Sequence, residues 1–176
     1  MKVFIAGSRS IQHLDAAAQR RITSICEKGF DILIGDCYGV DTAVQHFCCG
    51  HDYRNVTVYA SNGKIRNNIG AWAVKAIPTD SSLRGFNFYR QKDIAMTNDA
   101  DYGYMIWDQQ SKGTLYDIMG LTEQEKLVVV YLPAVHRTVK IAAFDDMERL
   151  IAACPVEIKR LYRKLLPNAD QISLDA

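Results

Sequence analysis

The residues with the most suggestive chemistry lie between Ser111 and Asp117, just after a short apolar strand predicted from Tyr102 to Trp107. A polar turn, Ser111-Lys112-Gly113-Thr114, joins this strand to a helical pattern. Such a junction leaves unpaired backbone N–H groups and the positive end of a helix dipole facing outward, where an anion can bind. The Lys112 ammonium and the Thr114 hydroxyl can add donors. We therefore predict a phosphate site at this turn.

Asp117 lies three residues after Thr114, on roughly the same side of the predicted helix. A carboxylate beside an anion pocket suits a sugar hydroxyl or a developing positive charge better than it suits the phosphate itself. The alternative is that Asp117 is only a favourable first-turn residue and that the turn binds nothing. The spacing alone leaves both interpretations open.

The first predicted strand, Val3 to Ala6, also ends in a polar turn that contains glycine. Gly7 lets a ligand approach the backbone because it has no Cβ, and Ser8 can cap a helix or bind a phosphate oxygen. Arg9 is suited to bidentate recognition of phosphate. The alternative is a surface turn with an incidental arginine.

The second strand, Asp31 to Ile34, is followed by a turn that runs from Gly35 to Asp41 and contains a second glycine, Gly39. Asp36 follows the strand end directly and is the better ligand candidate of the two aspartates. Asp41 either caps the next helix or accepts hydrogen bonds from a ribose, and we favour the cap. We assign both glycines and both aspartates to a predicted nucleotide site.

Strands alternate with helical patterns along the chain, which predicts an α/β fold with a Rossmann-like parallel sheet flanked by helices. We expect a single domain over residues 1–176, with a core at about 1–144 and a C-terminal helical tail at about 145–166. The further predicted strands are Val56 to Ala60, Ala71 to Ile77, Leu127 to Leu132 and an edge strand from Thr138 to Phe144. Ligands of such sheets bind beyond the carboxyl ends of the strands, where all three turns lie.

A predicted helix that starts at Phe86 carries two cations, Arg90 and Lys92. Side chains two residues apart point about 200 degrees apart around a helix, so we expect that these two do not serve one site together. The alternative for either residue is a solvated charge on a helix surface.

Composition excludes several classes of protein. The chain has 48% hydrophobic and 23% charged residues and a formal net charge of +1, which is typical of an ordinary globular protein rather than a basic nucleic-acid binder. Its longest apolar run is far shorter than the ~20 residues of a membrane helix, so we expect a cytoplasmic protein without a membrane partner. The five cysteines and four histidines show no metal spacing, so we expect no metal. The GxGxxG and GxxxxGK[ST] motifs are absent, and we expect no cofactor.

Three segments, GSR after strand one, GDCYGVD after strand two and ADYGYMIWDQQSKGTLYD, resemble the SLOG superfamily. That superfamily includes the DprA/Smf proteins of DNA processing, the LONELY GUY phosphoribohydrolases and small stand-alone bacterial proteins of unknown function, which the chain resembles most. The resemblance covers roughly residues 1–132. It implies a Rossmann-like fold that binds nucleotides or nucleotide derivatives.

The LONELY GUY enzymes carry the motif PGGxGTxxE, whose glycines hold a 5′-phosphate and whose Glu assists cleavage of an N-glycosidic bond. In the matching stretch QSKGTLYD, Gly113 and Thr114 fit, Asp117 replaces the Glu, and Ser111 and Lys112 replace the paired glycines. Alignment on Met96 puts Lys92 in place of the family's Arg, with Arg90 nearby. Because Asp is one methylene shorter than Glu and Lys lacks the planar Arg fork, the resemblance supports a nucleotide site more strongly than catalysis.

Three functions follow from these observations. The preferred one is a binding module for a nucleotide or nucleotide-derived small molecule, with phosphate at the Gly7 to Arg9 and Gly113 to Thr114 turns and ribose on Asp36 or Asp117. The second is an enzyme that cleaves the N-glycosidic bond of a nucleoside monophosphate, with Asp117, Lys92 and Arg90 as catalytic residues. The third, by analogy to DprA, is binding of single-stranded DNA, which the neutral charge disfavours.

Self-association into a homodimer is a further expectation. The apolar faces of Phe86, Phe88, Tyr89 and the tail helices exceed what one sheet can cover.

Overall fold

The structure, a computed structural model, describes residues 1–166. Its strands are β1 (Lys2–Gly7), β2 (Asp31–Ile34), β3 (Val56–Ser61), β4 (Ala73–Ile77), β5 (Tyr102–Ile106), β6 (Val128–Leu132) and β7 (Arg137–Ile141). Its helices are α1 (Ala16–Glu27), α2 (Val40–Gly50), α3 (Gly85–Asp99), α4 (Lys112–Glu123), α5 (Phe144–Ile151) and α6 (Val156–Leu165), with a 3₁₀ turn at Pro133–Val135.

The seven strands form one sheet in the order β4-β3-β2-β1-β5-β6-β7. All neighbouring strands are parallel except β7, which pairs antiparallel with β6 at the edge. The α/β, Rossmann-like fold predicted from the sequence is therefore confirmed. From β1 the chain first builds the sheet in one direction, to β4, and then returns to place β5 on the other side of β1. The crevice between β1 and β5 is thus the topological switch point, where ligands of open α/β sheets bind.

Alternating side chains of the strands build a hydrophobic core on each face of the sheet. Val3 and Ile5 of β1 pack with α1 and α2, whereas Phe4 and Ala6 pack on the opposite face with α3 and α4. The tail helices α5 and α6 join this second core through Met147, Leu150, Ile158 and Tyr162, among others. Strands buried on both faces are nearly all apolar, as the sequence VVVYL of β6 shows.

Two strand boundaries differ from the prediction by two residues or more. The fourth strand begins at Ala73, and Trp72 precedes it in the loop, where its indole N–H donates to the Tyr53 carbonyl at 2.9 Å. Trp72 is therefore buried, although the next residue on the same side of the strand, Val74, is exposed at the sheet edge. The predicted edge strand ends at Ile141 rather than Phe144 because Ala143 and Asp146 build the start of α5.

Candidate functional site

A cavity of ≈ 540 Å³ opens at the carboxyl ends of β1 and β5. This volume lies within the range of small-molecule sites. The turn after β1, the turn after β2 and the turn between β5 and α4 all contribute to its wall, and so does α3 between Gly85 and Met96. The three turns selected from the sequence therefore converge, because parallel strands present their carboxyl ends at one edge of the sheet.

The turn between β5 and α4 is built around Asp108, which sequence reasoning missed. Its Oδ1 accepts hydrogen bonds from the backbone N–H groups of Gln110 and Ser111, both at 2.8 Å, and its Oδ2 accepts one from the Ser10 hydroxyl at 2.6 Å. Burial works to raise the pKa of Asp108, but these donors outweigh it and lower the pKa. An aspartate directly after a strand and three residues before a serine is a recognisable turn signal.

Ser111 is the N-cap of α4, and its Oγ accepts hydrogen bonds from the Thr114 N–H at 3.4 Å and the Thr114 hydroxyl at 3.0 Å. Thr114 is buried and serves this cap. The next two N–H groups, of Lys112 and Gly113, have no acceptor among the described residues. Both residues line the cavity, so two backbone donors at the positive end of a helix dipole are available there.

The turn after β1 has two separate uses. Ser8 is fully buried, and its Oγ accepts a hydrogen bond from the Asp108 N–H at 3.0 Å, so this hydroxyl ties β1 to the β5 turn instead of facing the cavity. Gly7 and Arg9 line the cavity, and Arg9 is exposed. The Gly39 backbone, at a φ of 85°, packs so closely on Arg9 that a Cβ would overlap it, which explains the glycine.

Asp36 is the favoured ligand candidate of the second turn, but its carboxylate already accepts hydrogen bonds from Arg66 in the loop after β3. The Arg66 guanidinium donates to Asp36 Oδ1 at 2.6 Å and Oδ2 at 3.1 Å, and the Arg66 N–H also donates to Oδ2 at 3.1 Å. Burial works to raise the pKa of Asp36, but Arg66 lowers it below its ordinary value. Asp36 does not line the cavity in the described structure. It anchors the loop after β3.

Asp41 does line the cavity, and it is not the cap of α2 that we favoured from the sequence. The N-cap is Gly39, and no side chain caps this helix start among the described residues. The Asp41 Oδ2 accepts a hydrogen bond from the Cys37 N–H at 3.1 Å. A Cβ on Gly35 would overlap this carboxylate, so Gly35 makes room for it. Burial raises the pKa of Asp41 to about 6.

Lys92 forms the floor of the cavity and is only 2% exposed, so the alternative of a solvated helical charge is wrong for this residue. Its ammonium lies 2.7 Å from Asp93 Oδ1. Burial works against the charged amine, but the carboxylates of Asp93 and Asp41 outweigh it and raise the pKa of Lys92. Lys92 is therefore a charged lysine that is already neutralised in part by its neighbours.

Asp117 also lines the floor and is 8% exposed. Burial, reinforced by the nearby Asp93 carboxylate, raises the pKa of Asp117 well above its ordinary value. No described group donates a hydrogen bond to its carboxyl group. Asp117 is thus a buried carboxyl group on a cavity wall, with a raised pKa and free to bond a ligand.

Arg90 and Lys92 line the same cavity, contrary to the expectation from their helical spacing. Their long side chains bend back toward one space from different sides of α3. The Arg90 guanidinium lies over the Tyr116 ring, with its central carbon 4.1 Å from the ring centroid, while the Lys92 ammonium points to the floor. The spacing argument failed because it considered the direction of the Cβ atoms and not the reach of the side chains.

A second, larger groove of ≈ 700 Å³ lies between the loop before α1 and the outer surface of α2. His13 and His46 lie along it, together with Gln12, Gln19 and Tyr38. The groove borders the turn after β2 at Tyr38 and Gly39, but its lining in the described structure includes no Asp, Glu, Lys or Arg side chain, so we place the functional site in the smaller cavity. In the described part of the chain no cluster of three or more His, Cys, Asp or Glu side chains is arranged to hold a metal ion.

Residues 1–166 contain no helix that is both long and apolar enough to cross a bilayer.

Comparisons with known proteins identify a fold. No protein-family model and no curated protein sequence matches the chain. Among solved structures, the chain is similar to DNA processing protein A from Helicobacter pylori, whose structure was described for its single-stranded DNA binding mode. The TM-score is 0.61 at 15% sequence identity, and the match covers 94% of this chain and 80% of that chain. At this identity the similarity establishes a common fold alone.

Proposed function

We propose that this chain, which shares the fold of DNA processing protein A, binds a nucleotide or a nucleotide-derived small molecule in the cavity between β1 and β5. The observation that carries the proposal is a pair of N–H groups, at Lys112 and Gly113, that have no acceptor within residues 1–166 and lie on a cavity at the topological switch point of the sheet. The exposed cations of Lys112 and Arg9 flank this pair. Together they provide the donors and the positive charge that a phosphate group requires.

The starts of three helices support an anionic ligand further. The first turns of α2, α3 and α4 all contribute residues to the cavity wall, namely Asp41, Phe86 and Gly113. Each helix start carries a partial positive charge, and the N-cap of α3 provides no side-chain hydrogen bond. A phosphate bound at α4 would lie in the combined field of these helix starts.

The sugar of the nucleotide would contact the floor of the cavity, where Asp117 and Lys92 lie. The raised pKa of Asp117 favours its protonated form, in which the carboxyl group can both donate a hydrogen bond to a sugar hydroxyl and accept one from it. Lys92 is buried and paired with Asp93, so it would contribute a fixed positive field rather than a flexible phosphate clamp. We therefore assign the sugar to Asp117 and the phosphate to Lys112, Gly113 and Arg9.

A pair of substitutions at Lys112 tests the phosphate assignment. Lys112→Ala removes the ammonium, whereas Lys112→Pro removes the ammonium and the N–H together. Proline is tolerated here because Lys112 is the first residue of α4 and Ser111 before it is extended, with φ −64° and ψ 114°. The difference in affinity between the two variants therefore measures the contribution of the N–H.

We expect a nucleotide at ~100 times its Kd to add ~2.7 kcal/mol to the stability of the wild-type protein, or about 5 to 10 °C in Tm. The panel contains nucleoside mono-, di- and triphosphates, cyclic nucleotides and ADP-ribose. Lys112→Ala should weaken binding, and Lys112→Pro should weaken it further, by about 5- to 100-fold in total. If no nucleotide shifts the Tm of the wild-type protein, the proposal is wrong.

A second candidate function, cleavage of the N-glycosidic bond of a nucleoside monophosphate, is favoured by Asp117. A buried carboxyl group with a raised pKa is suited to donate a proton to a departing base, in the manner of a general acid. In such an enzyme Lys92 and Arg90 would bind the phosphate of the substrate and would not contact the base. Chromatography of each protein and nucleotide mixture for released base distinguishes this enzyme from a binding module.

Asp117→Asn separates the two functions. In an enzyme, the amide would abolish release of base while the nucleotide still binds, and the wild-type rate would fall as the pH rises and Asp117 loses its proton. In a binding module, the same change would alter affinity alone. The amide has nearly the shape of the acid, so the variant keeps the cavity intact.

Binding of single-stranded DNA is the third candidate, and the fold similarity to DNA processing protein A favours it. The exposed cations of α6, which are Arg160, Arg163 and Lys164, offer a basic surface for it. Affinity for an oligonucleotide should then fall steeply between 50 and 200 mM salt, because bound counterions are released. Affinity that stays constant across this range would exclude the electrostatic mechanism.

A further inference from the structure

We infer that the rings of Phe86 and Tyr89 form the surface against which the base of the bound nucleotide stacks. The inference rests on the proposed nucleotide site and adds the part of that site that holds the base. Both residues lie on the first two turns of α3, three positions apart, and both line the same cavity as the phosphate turn. Phe86 is 47% exposed and Tyr89 is 37% exposed.

The two rings are held in place by neighbours that leave part of each surface open. The Arg66 guanidinium lies over the Tyr89 ring, with its central carbon 4.3 Å from the ring centroid. Arg66 itself is fixed by its hydrogen bonds to Asp36. A stacking ring that is already oriented loses little conformational entropy when a ligand binds.

Phe86 is held in a similar way. Its ring centroid lies 5.2 Å from that of Tyr116, and the Arg90 guanidinium covers Tyr116. The wall near α3 therefore presents the rings of Phe86 and Tyr89, each supported from behind by a neighbouring side chain, whereas the wall near α4 presents backbone N–H groups and the Lys112 cation. This division matches the two ends of a nucleotide, a planar base and a charged phosphate.

The chemistry favours a planar aromatic ligand group over an aliphatic one. Exposed aromatic rings gain from contact with the π-face of a base, and every nucleobase has such a face. Phe86 has no polar atom, and contact with the face of either ring does not read the hydrogen-bonding edge of the base. We therefore expect contact with any of the four bases, while the phosphate and the sugar provide the remaining affinity.

The test compares nucleotides with the same molecule without a base. The Kd values of AMP, GMP, CMP, UMP and ribose 5-phosphate are measured by calorimetry for the wild-type protein and for Phe86→Ala and Tyr89→Ala. We expect each alanine substitution to raise the Kd of the nucleotides by about 5- to 150-fold, the range found for base stacking. The Kd of ribose 5-phosphate should stay unchanged. Tyr89→Phe should keep wild-type affinity because it keeps the ring.

Ile94→Ala is the matched control for the helix. Ile94 is exposed on α3 and does not line the cavity, so this variant should bind like the wild-type protein. The Tm of every variant is measured without ligand, so that a loss of affinity is not confused with a loss of folded protein.

Other outcomes would overturn the inference in distinguishable ways. If nucleotides bind and both alanine variants keep their affinity, the base lies elsewhere while the proposed nucleotide site stands. If the variants lose affinity for ribose 5-phosphate and for nucleotides equally, the rings only shape the cavity. If Phe86→Ala converts a wild-type dimer into a monomer in sedimentation, without a change in nucleotide affinity, the rings contact a second copy of the chain. If the wild-type protein binds none of the five probes, the variants are measured with the nucleotide of the wider panel that raises its Tm; if none of that panel does, the proposed function fails as well.

Discussion

At the scale of single residues, the aspartates near the cavity behave differently because their partners differ. Asp36 and Asp108 are held charged by donors that lie against them, and their pKa values are lowered although burial opposes this. Asp41 and Asp117 are buried with few donors, and burial raises their pKa values. Environment, and not residue type, therefore decides which aspartates anchor loops and which can offer a proton to a ligand.

The raised pKa of Asp41 predicts a stability that depends on pH. In the unfolded chain this carboxyl group titrates near 3.8, and in the folded protein near 6, so the folded state binds more protons between these values. The contribution of Asp41 to stability therefore becomes less favourable as the pH rises from about 4 to 6. Asp41→Asn removes the charge and should stabilise the protein by about 3 kcal/mol at pH 7.5 but only about 1 kcal/mol at pH 4.5.

Urea unfolding of the wild-type protein and Asp41→Asn at the two pH values checks this expectation. The amide oxygen can still accept the hydrogen bond from the Cys37 N–H, so the turn is preserved. The exposed Asp31, changed to Asn, is the control for removing one aspartate charge from the protein. A stabilisation that is equal at both pH values would contradict a raised pKa at Asp41.

At the scale of elements, the close approach of β1 and β5 defines the switch point. Gly7 pairs with Ile106 in this ladder, and α2 packs over the same position. A Cβ on Gly7 would overlap the Ile106 carbonyl oxygen and lie 2.7 Å from Val40 Cγ2. Gly7 therefore allows β1, β5 and α2 to pack against one another beside the cavity.

Gly7→Ala should destabilise the protein by about 3 kcal/mol or more, because backbone atoms must move to admit the methyl group. It should also weaken nucleotide binding, since the crevice between β1 and β5 must widen. Gly50→Ala is the matched control, because Gly50 ends α2 and a Cβ there meets no atom within 4 Å. We expect that control to change stability by less than about 1 kcal/mol in urea unfolding. Equal stabilities of the two variants would refute the packing argument.

At the scale of the whole molecule, two cores share one sheet, and each core contains one of the two tryptophans. Trp107 is buried with the tail helices α5 and α6, and Trp72 is buried on the opposite face with α1 and α2. If the chain is a single domain, as the sequence predicts, damage to the tail should lower the stability of both cores together.

Ile158→Ala in α6 tests this coupling. Ile158 is fully packed in the core, so we expect a loss of about 2 to 5 kcal/mol. The unfolding midpoint should fall equally for the fluorescence of Trp107, observed in a Trp72→Phe background, and of Trp72, observed in a Trp107→Phe background. Val156→Ala in the same helix is exposed and should change stability by no more than about 0.5 kcal/mol. A shift seen by Trp107 alone would show that the tail and the remote core unfold independently.

The sequence by itself determined the class of fold and the location of the turns that line the cavity. Both depend on local features: apolar runs that must be buried on two faces, and glycines that directly follow them. The predicted strand from Asp31 to Ile34 matches β2 at both ends, and the predicted turn from Ser111 to Thr114 contains the unpaired N–H groups.

Only the tertiary structure decided what the side chains of those turns contact. Arg66, thirty residues after Asp36, occupies the carboxylate that we had assigned to a ligand. Asp41 lines the cavity instead of capping its helix, and Lys92 is buried beside Asp93 instead of solvated. These outcomes depend on groups that are distant in the chain and on the length of flexible side chains. Neither the period of a helix nor the type of a residue contains that information, so packing alone assigns the charged groups to the scaffold or to the site.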